Sequence, residues 1–251
     1  MRIEYRAGGY SFLKGISPYS AGVVAAPGFE IEHVRLERAL SLERGFETIE
    51  SYLASQHRRR QSLCGVELRS PRPFTFQGFQ DFNQRYVEIL RQWGILLDGL
   101  NPIARTNVAP EVDPPEEPSL HGFSITLRNE NAPPSFVVAG AGELPEGSLD
   151  PHDVVRRGES SAGALQEKAR FVMERMSSRL TGLGVSWGQV TATAIYTIHD
   201  IHPFLAKVVL GGMREAARLG VNWHYARPPI ESVEYEMDIR GCRREVILPA
   251  D

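Results

Sequence analysis

Two arginines sit in the same local setting. Pro102-Ile103-Ala104-Arg105-Thr106 and His224-Tyr225-Ala226-Arg227-Pro228 each place an arginine after alanine, between a helix-like stretch and a strand-like one, about half of the 251-residue chain apart. A guanidinium fork suits a carboxylate, and two forks at that separation suggest an internal duplication. Other residues carry possible chemistry close to them in sequence. Glu234 follows Arg227 in an alternating strand-like run, Val233 to Arg240. Asn107 and His121 follow Arg105, and Tyr19 precedes it in Ser17-Pro18-Tyr19-Ser20. A carboxylate or imidazole beside an anion-binding arginine is the equipment of general acid–base catalysis on a carboxylated substrate. Each residue also has a plain structural reading. Arg105 could form a surface ion pair with Glu111 or Asp113. Glu234 could be one acid on a solvated strand face. His121 could be a structural histidine, Tyr19 a packing residue, and Asn83 with Tyr86 a helix-packing pair.

The elements needed to hold these groups can be read from periodicity. Ser20–Ala26 and Phe29–Leu36 read as strands around Pro27-Gly28, and Ser41 opens a helix with Leu42, Phe46, Ile49 and Leu53 on one stripe. Leu63–Leu68 reads as a strand. Phe79, Phe82, Tyr86, Leu90 and Trp93 mark a second helix, ended by Gly94. Ile103–Val108 and Leu120–Leu127 complete a ββαβαββ order. Beyond the turn at 129–134 the order partly recurs: strand Ser135–Ala139, helix from Ser161 with Leu165, Ala169, Val172, Met176 and Leu180, strand Val190–Ile198, helix Phe204–Leu219, then strands from Tyr225 and over Ser232–Ile239. In the last strand Val233, Tyr235, Met237 and Ile239 alternate with acids, which predicts one buried and one polar face. The tail Arg243–Leu248 is a candidate edge strand. The expected fold is α+β, two tandem ββαβαββ domains (1–130 and 131–251), helices on one face of each sheet.

Bulk properties narrow the function. Net charge is −3, with 28 basic and 31 acidic residues, so no global field favours nucleic acid. Cys64 and Cys242 lack metal-ligand spacing, and their low number fits a reducing compartment. No apolar run is long enough to cross a membrane and no signal-peptide pattern is visible, which predicts a cytoplasmic protein. His199 and His202 flank Asp200, a spacing that suits a capping turn better than a metal site.

The order of these motifs resembles the Rid superfamily of reactive-intermediate deaminases. Gly15-Ile16-Ser17-Pro18-Tyr19-Ser20, Asn83-Gln84-Arg85-Tyr86, Ala104-Arg105-Thr106, Ala141-Gly142-Glu143-Leu144-Pro145, Leu183-Gly184-Val185-Ser186 and Ala226-Arg227-Pro228 with Val233-Glu234-Tyr235-Glu236 are similar to its signatures. The resemblance implies a chorismate-mutase-like fold used twice, a three-fold ring of chains, and hydrolysis of a small carboxylated imine or enamine without metal or organic cofactor. Ring-cleavage products such as 2-aminomuconate form one implied substrate class. It also implies roles. Arg227 and Glu234 would be the catalytic pair. Arg105, Tyr19, Asn107 and His121 would bind substrate, with His121 standing where the family's water-positioning glutamate would be. Two alternatives remain open: a chorismatase-like enzyme on the same fold, or a non-catalytic carboxylate-binding protein.

Overall fold

The computed structural model describes residues 2–148 and 150–249. Most elements lie where periodicity places them. Ser41 and Thr75, each with its side-chain oxygen accepting an N–H of the first turn, start α1 (Leu42–Ser55) and α2 (Phe76–Gln92). Ser161 does the same for α3 (Ala162–Leu183), and Gly184 ends it in the left-handed conformation, φ 78°. The stretch expected as one helix, Phe204–Leu219, is instead a chain of short helical turns of α, π and 3-10 type. It is interrupted at Arg214, whose φ is 51°.

Thirteen strands are distributed over two sheets among the described residues. One has seven strands, in the order β1 (Arg2–Tyr5), β2 (Tyr10–Leu13), β3 (Gly22–Ala25), β8 (Phe136–Gly142), β12 (Glu236–Gly241), β9 (Ala192–Tyr196), β10 (Asn222–His224). The other has six: β11 (Ala226–Arg227), β6 (Ala104–Pro110), β5 (Leu63–Arg69), β7 (Ser119–Arg128), β4 (Phe29–Ser41), β13 (Arg244–Leu248). The first two strands form a hairpin that periodicity does not reveal, because Arg2–Tyr5 and Tyr10–Leu13 are only four residues each.

This topology corrects the expectation of a tandem ββαβαββ pair. The sheets do not follow the order of the chain. β3 pairs antiparallel with β8 rather than closing a hairpin with β4, its neighbour in sequence. β13 returns to lie parallel to β4, and β11 adds antiparallel to β6. Strand propensity and alternation are local properties, whereas partner choice is decided by long-range contacts that a linear pattern does not carry.

Each sheet has its own apolar core. Phe46, Ile49, Leu53, Phe82, Tyr86 and Leu90 of α1 and α2 pack on Val34, Val66 and Phe123 of the six-stranded sheet. Leu165, Val172, Met176 and Leu180 of α3 pack on Val138, Met237 and Ile239 of the seven-stranded one. The two sheets meet where β6 crosses β8, and Gly140 N–H donates to Thr106 Oγ1 at 3.1 Å across that seam.

Candidate active site

The seam opens into a cleft lined by both sheets, α3 and the loop after β8. Arg105, the second residue of β6, is buried at its floor. Its Nη2 donates to Asn83 Oδ1 of α2 at 2.7 Å. The guanidinium lies 4.7 Å from the ring centroid of Tyr19 and 4.8 Å from that of Tyr86, with Phe79 and Phe82 slightly farther. Aromatic faces stabilise a cation without neutralising it. The other terminal nitrogen, Nη1, has no partner. Asn107 projects from the same face of β6, two residues on. Its Oδ1 accepts from Ser70 Oγ at 3.0 Å, while its Nδ2 is buried and unpartnered. Two unsatisfied donors lining one cleft are costly to leave unpaired, and an anion with two oxygens would satisfy both.

The acid of the cleft is Glu236, the first residue of β12, paired with Gly142 and Tyr196. It is 5% exposed. Burial pushes its carboxyl well above the usual carboxylate range, helped by Asp238 and Glu143 and opposed by Arg105 and Arg179. Burial thus favours the protonated form of this carboxyl. Gly140 makes room for it: a Cβ there would stand 2.2 Å from Glu236 Oε1 and 3.1 Å from Thr106 Cγ2. Behind it, Glu143 and Lys168 form a fully buried ion pair at 2.9 Å. Glu143 also accepts the N–H groups of Glu234 and Tyr235 at 2.7 and 3.1 Å, which holds the entry to β12.

The wall opposite is α3. Arg175 and Arg179, one turn apart, both bind Glu146 of the loop. Arg179 Nη1 also donates to Ala139 O at 2.8 Å.

The residues named from sequence divide into groups. Arg105, Asn107 and Tyr19 share this cleft. Arg227 and Glu234 do not line it. Arg227 sits at the sheet edge, where Nε and Nη2 meet Glu111 at 2.7 and 3.2 Å. The partner considered for Arg105 thus belongs to the other arginine. Glu234 accepts from His199 Nε2 at 2.8 Å. His121 lines a second cavity with Glu67, Arg69, His33 and His224. There burial, with Arg69 next, pulls its imidazole down to about 3. His202 Nδ1 and N–H both meet Asp200 Oδ1 in a turn. Among the described residues no group of three His, Cys, Asp or Glu is placed to hold a metal. None of their helices is long and apolar enough to cross a membrane.

Sequence reasoning missed Glu236, Arg175, Arg179, Glu146 and the Glu143–Lys168 pair. The alternating acids of the last strand predict a solvated face, yet Glu236 and Asp238 are as buried as Met237 and Ile239. The second sheet covers the face that a single domain would leave to water. The i, i+4 spacing of Arg175 and Arg179 was the available signal on α3.

Comparison with known proteins gives a consistent result. The family model described as 2-aminomuconate deaminase CnbZ matches residues 2–246. The chain is 43% identical over 253 residues to the 2-amino-5-chloromuconate deaminase of Comamonas testosteroni, with 98% of each chain covered. Among solved structures it resembles a chorismatase at TM-score 0.50 and 10% identity, over 88% of this chain and 77% of that one. These matches replace the expected Rid-superfamily membership, and the fold likeness is to the chorismatase rather than to two joined Rid domains.

Proposed function

The chain belongs to the 2-aminomuconate deaminase CnbZ family, and from that premise we propose that the cleft between Arg105 and Glu236 hydrolyses the C–N bond of a 2-aminomuconate-type enamine. The observation carrying this reading is a buried carboxyl, pushed toward its protonated form by burial, lining the same cleft as Arg105 and Asn107, each with an unpaired buried donor.

The substrate carboxylate beside the amine-bearing carbon pairs with Arg105 Nη1 and Asn107 Nδ2. Glu236 donates its proton to the enamine carbon next to the C–N carbon. The C=C pair forms the new C–H bond while the nitrogen lone pair forms C=N. The resulting Glu236 carboxylate then takes a proton from water as its oxygen adds to the C=N carbon. As the tetrahedral adduct collapses, its hydroxyl proton passes to nitrogen by way of Glu236, C=O forms, C–N breaks and ammonia leaves with Glu236 again protonated. The balance is enamine plus water giving 2-oxo acid plus ammonia. The proposed steps use groups of the chain and one water. The buried setting raises the Glu236 carboxyl and so favours its role as proton donor, and Arg105 holds the substrate in register.

Ammonia release from freshly generated 2-aminomuconate tests the reading. Turnover is expected in the wild type. Glu236→Gln is expected to lose about 10²–10⁴-fold in kcat, the usual contribution of a positioned acid or base, while still binding muconate. Wild-type turnover by Glu236→Gln would overturn the assignment.

A further inference from the structure

We propose that Arg175 and Arg179 form a second carboxylate subsite, for the far end of a dicarboxylic substrate, and that Glu146 occupies this subsite while the cleft is empty. The inference rests on reading the cleft as the site of an aminomuconate-type substrate.

Glu146 is bound as a substrate carboxylate would be. Arg179 grips it bidentately, Nε to Oε2 at 3.1 Å and Nη2 to Oε1 at 2.9 Å, and Arg175 Nη1 reaches Oε2 at 2.9 Å. A planar fork on a planar carboxylate is the geometry of carboxylate recognition. The two sides of this contact are built differently. The arginine side chains are 12% and 6% exposed, and Glu146 is 44% exposed. Arg179 is pinned from behind by Ala139 O, and Arg175 lies 5.0 Å from the ring centroid of Phe171. Glu146 stands on the loop between Pro145 and Gly147, where Gly147 takes φ 84°. The guanidinium groups are therefore part of the frame, and the carboxylate is the exchangeable partner. Arg175 also keeps a buried Nε with no partner, a donor that Glu146 leaves unused.

Charge supports the same assignment. Three arginines, Arg105, Arg175 and Arg179, line one cleft with only two acids, Glu146 and a buried Glu236 whose carboxyl burial pushes up. A dicarboxylate that places one end on Arg105 and the other on the α3 pair sends Glu146 into solvent and replaces one ion pair by another. A monocarboxylate held at Arg105 leaves Glu146 in place. Glu146 therefore lowers the apparent affinity for dicarboxylates by the fraction of time it holds the subsite.

Calorimetric titration with trans,trans-muconate and with sorbate, the monocarboxylate of the same diene geometry, tests the proposal on the full chain. Muconate is expected to bind wild type more tightly than sorbate does. In Glu146→Gln the muconate Kd should fall by about tenfold, a change of about 1.4 kcal/mol, with the sorbate Kd unchanged. In Arg175→Gln the advantage of muconate over sorbate should be lost. Glu146 and Arg175 do not build the apolar core, and Tm measured alongside reports that each variant is folded. Equal affinities of wild type and Glu146→Gln for muconate, an equal gain for both ligands, or an intact muconate preference in Arg175→Gln would each overturn the subsite. So would wild type that binds neither ligand. Ammonia release with a preference unmoved by these variants would sink the subsite and leave deamination standing. The expected preference without ammonia release would sink deamination and leave the subsite.

Discussion

Arg105 spends one arm of its guanidinium on Asn83 Oδ1, at 2.7 Å, and leaves the other, Nη1, buried and unpaired. Asn83 comes from α2 and Arg105 from β6, so the helix sets the plane in which the fork is offered. Asn83→Ala removes that constraint and leaves two buried nitrogens unpaired. We expect kcat/KM to fall by about tenfold to a hundredfold, since a hydrogen bond to a charged group contributes about 1.5–3 kcal/mol. The loss should lie mainly in KM if Asn83 acts through carboxylate binding. Steady-state kinetics on aminomuconate decides it, and an unchanged KM would show that Asn83 does not position the arginine.

Gly140 is bare because Glu236 needs the space. Gly140→Ala sets a Cβ 2.2 Å from Glu236 Oε1, and the carboxyl must move. Overpacking of this kind costs about 1–3 kcal/mol, and turnover should fall with it. Adding Glu236→Asp, which shortens the acid, should restore much of the Tm but not the rate. Recovery of both would place the essential acid elsewhere.

The second cavity predicts an acid-sensitive fold. His121 is held down to about 3 by burial and then by Arg69, below the ordinary histidine value of 6.5. Its contribution is complete above pH 6.5 and is lost as pH falls toward 3. Burial pushes Glu67 up, but His33, Arg240 and Arg69 together hold it at about 2, so its contribution is complete above pH 4.5 and lost below. Asp238, raised to about 6 by burial and Glu67, works in the opposite direction, its contribution fading as pH rises through 6. His121→Gln isolates the imidazole. The variant should lose less Tm than wild type between pH 7 and 4, and parallel Tm curves would remove His121 from the account.

Lys168 and Glu143 are both fully buried, and burial wins over Lys168 in setting the carboxyl, which stays above its usual value. Removing one partner leaves the other stranded. Lys168→Met should cost about 3–5 kcal/mol and loosen the entry to β12. Lys168→Met with Glu143→Gln should recover part of that in denaturant titrations, because the amide oxygen can still accept from Glu234 or Tyr235. A double variant no more stable than Lys168→Met would show that the carboxylate itself is needed by the backbone.

What was legible in the sequence was local. The stripes Leu42–Phe46–Ile49–Leu53 and Phe79–Phe82–Tyr86–Leu90 and the starts at Ser41 and Ser161 announce helices that form where expected, because i, i+4 contacts and capping bonds need only neighbours in the chain. The alternation in β6 likewise puts Arg105 and Asn107 on one face. Tertiary structure alone decided which strands meet. Val233 and Tyr235, just before β12, and Met237 and Ile239 within it are all buried, as their alternation predicts. The acids between them look solvated only while the six-stranded sheet beside them is unknown. Once β6 lies across β8, Glu236 is buried beside Gly140, and a carboxyl that water would keep ionised is pushed toward its protonated form. The same long-range pairing takes Arg227 to Glu111 at an edge and brings Arg175 and Arg179 to the cleft. Residue type states what each group can do. The dielectric around it and the partner opposite it are set by contacts between distant parts of the chain, and no spacing in the sequence encodes those.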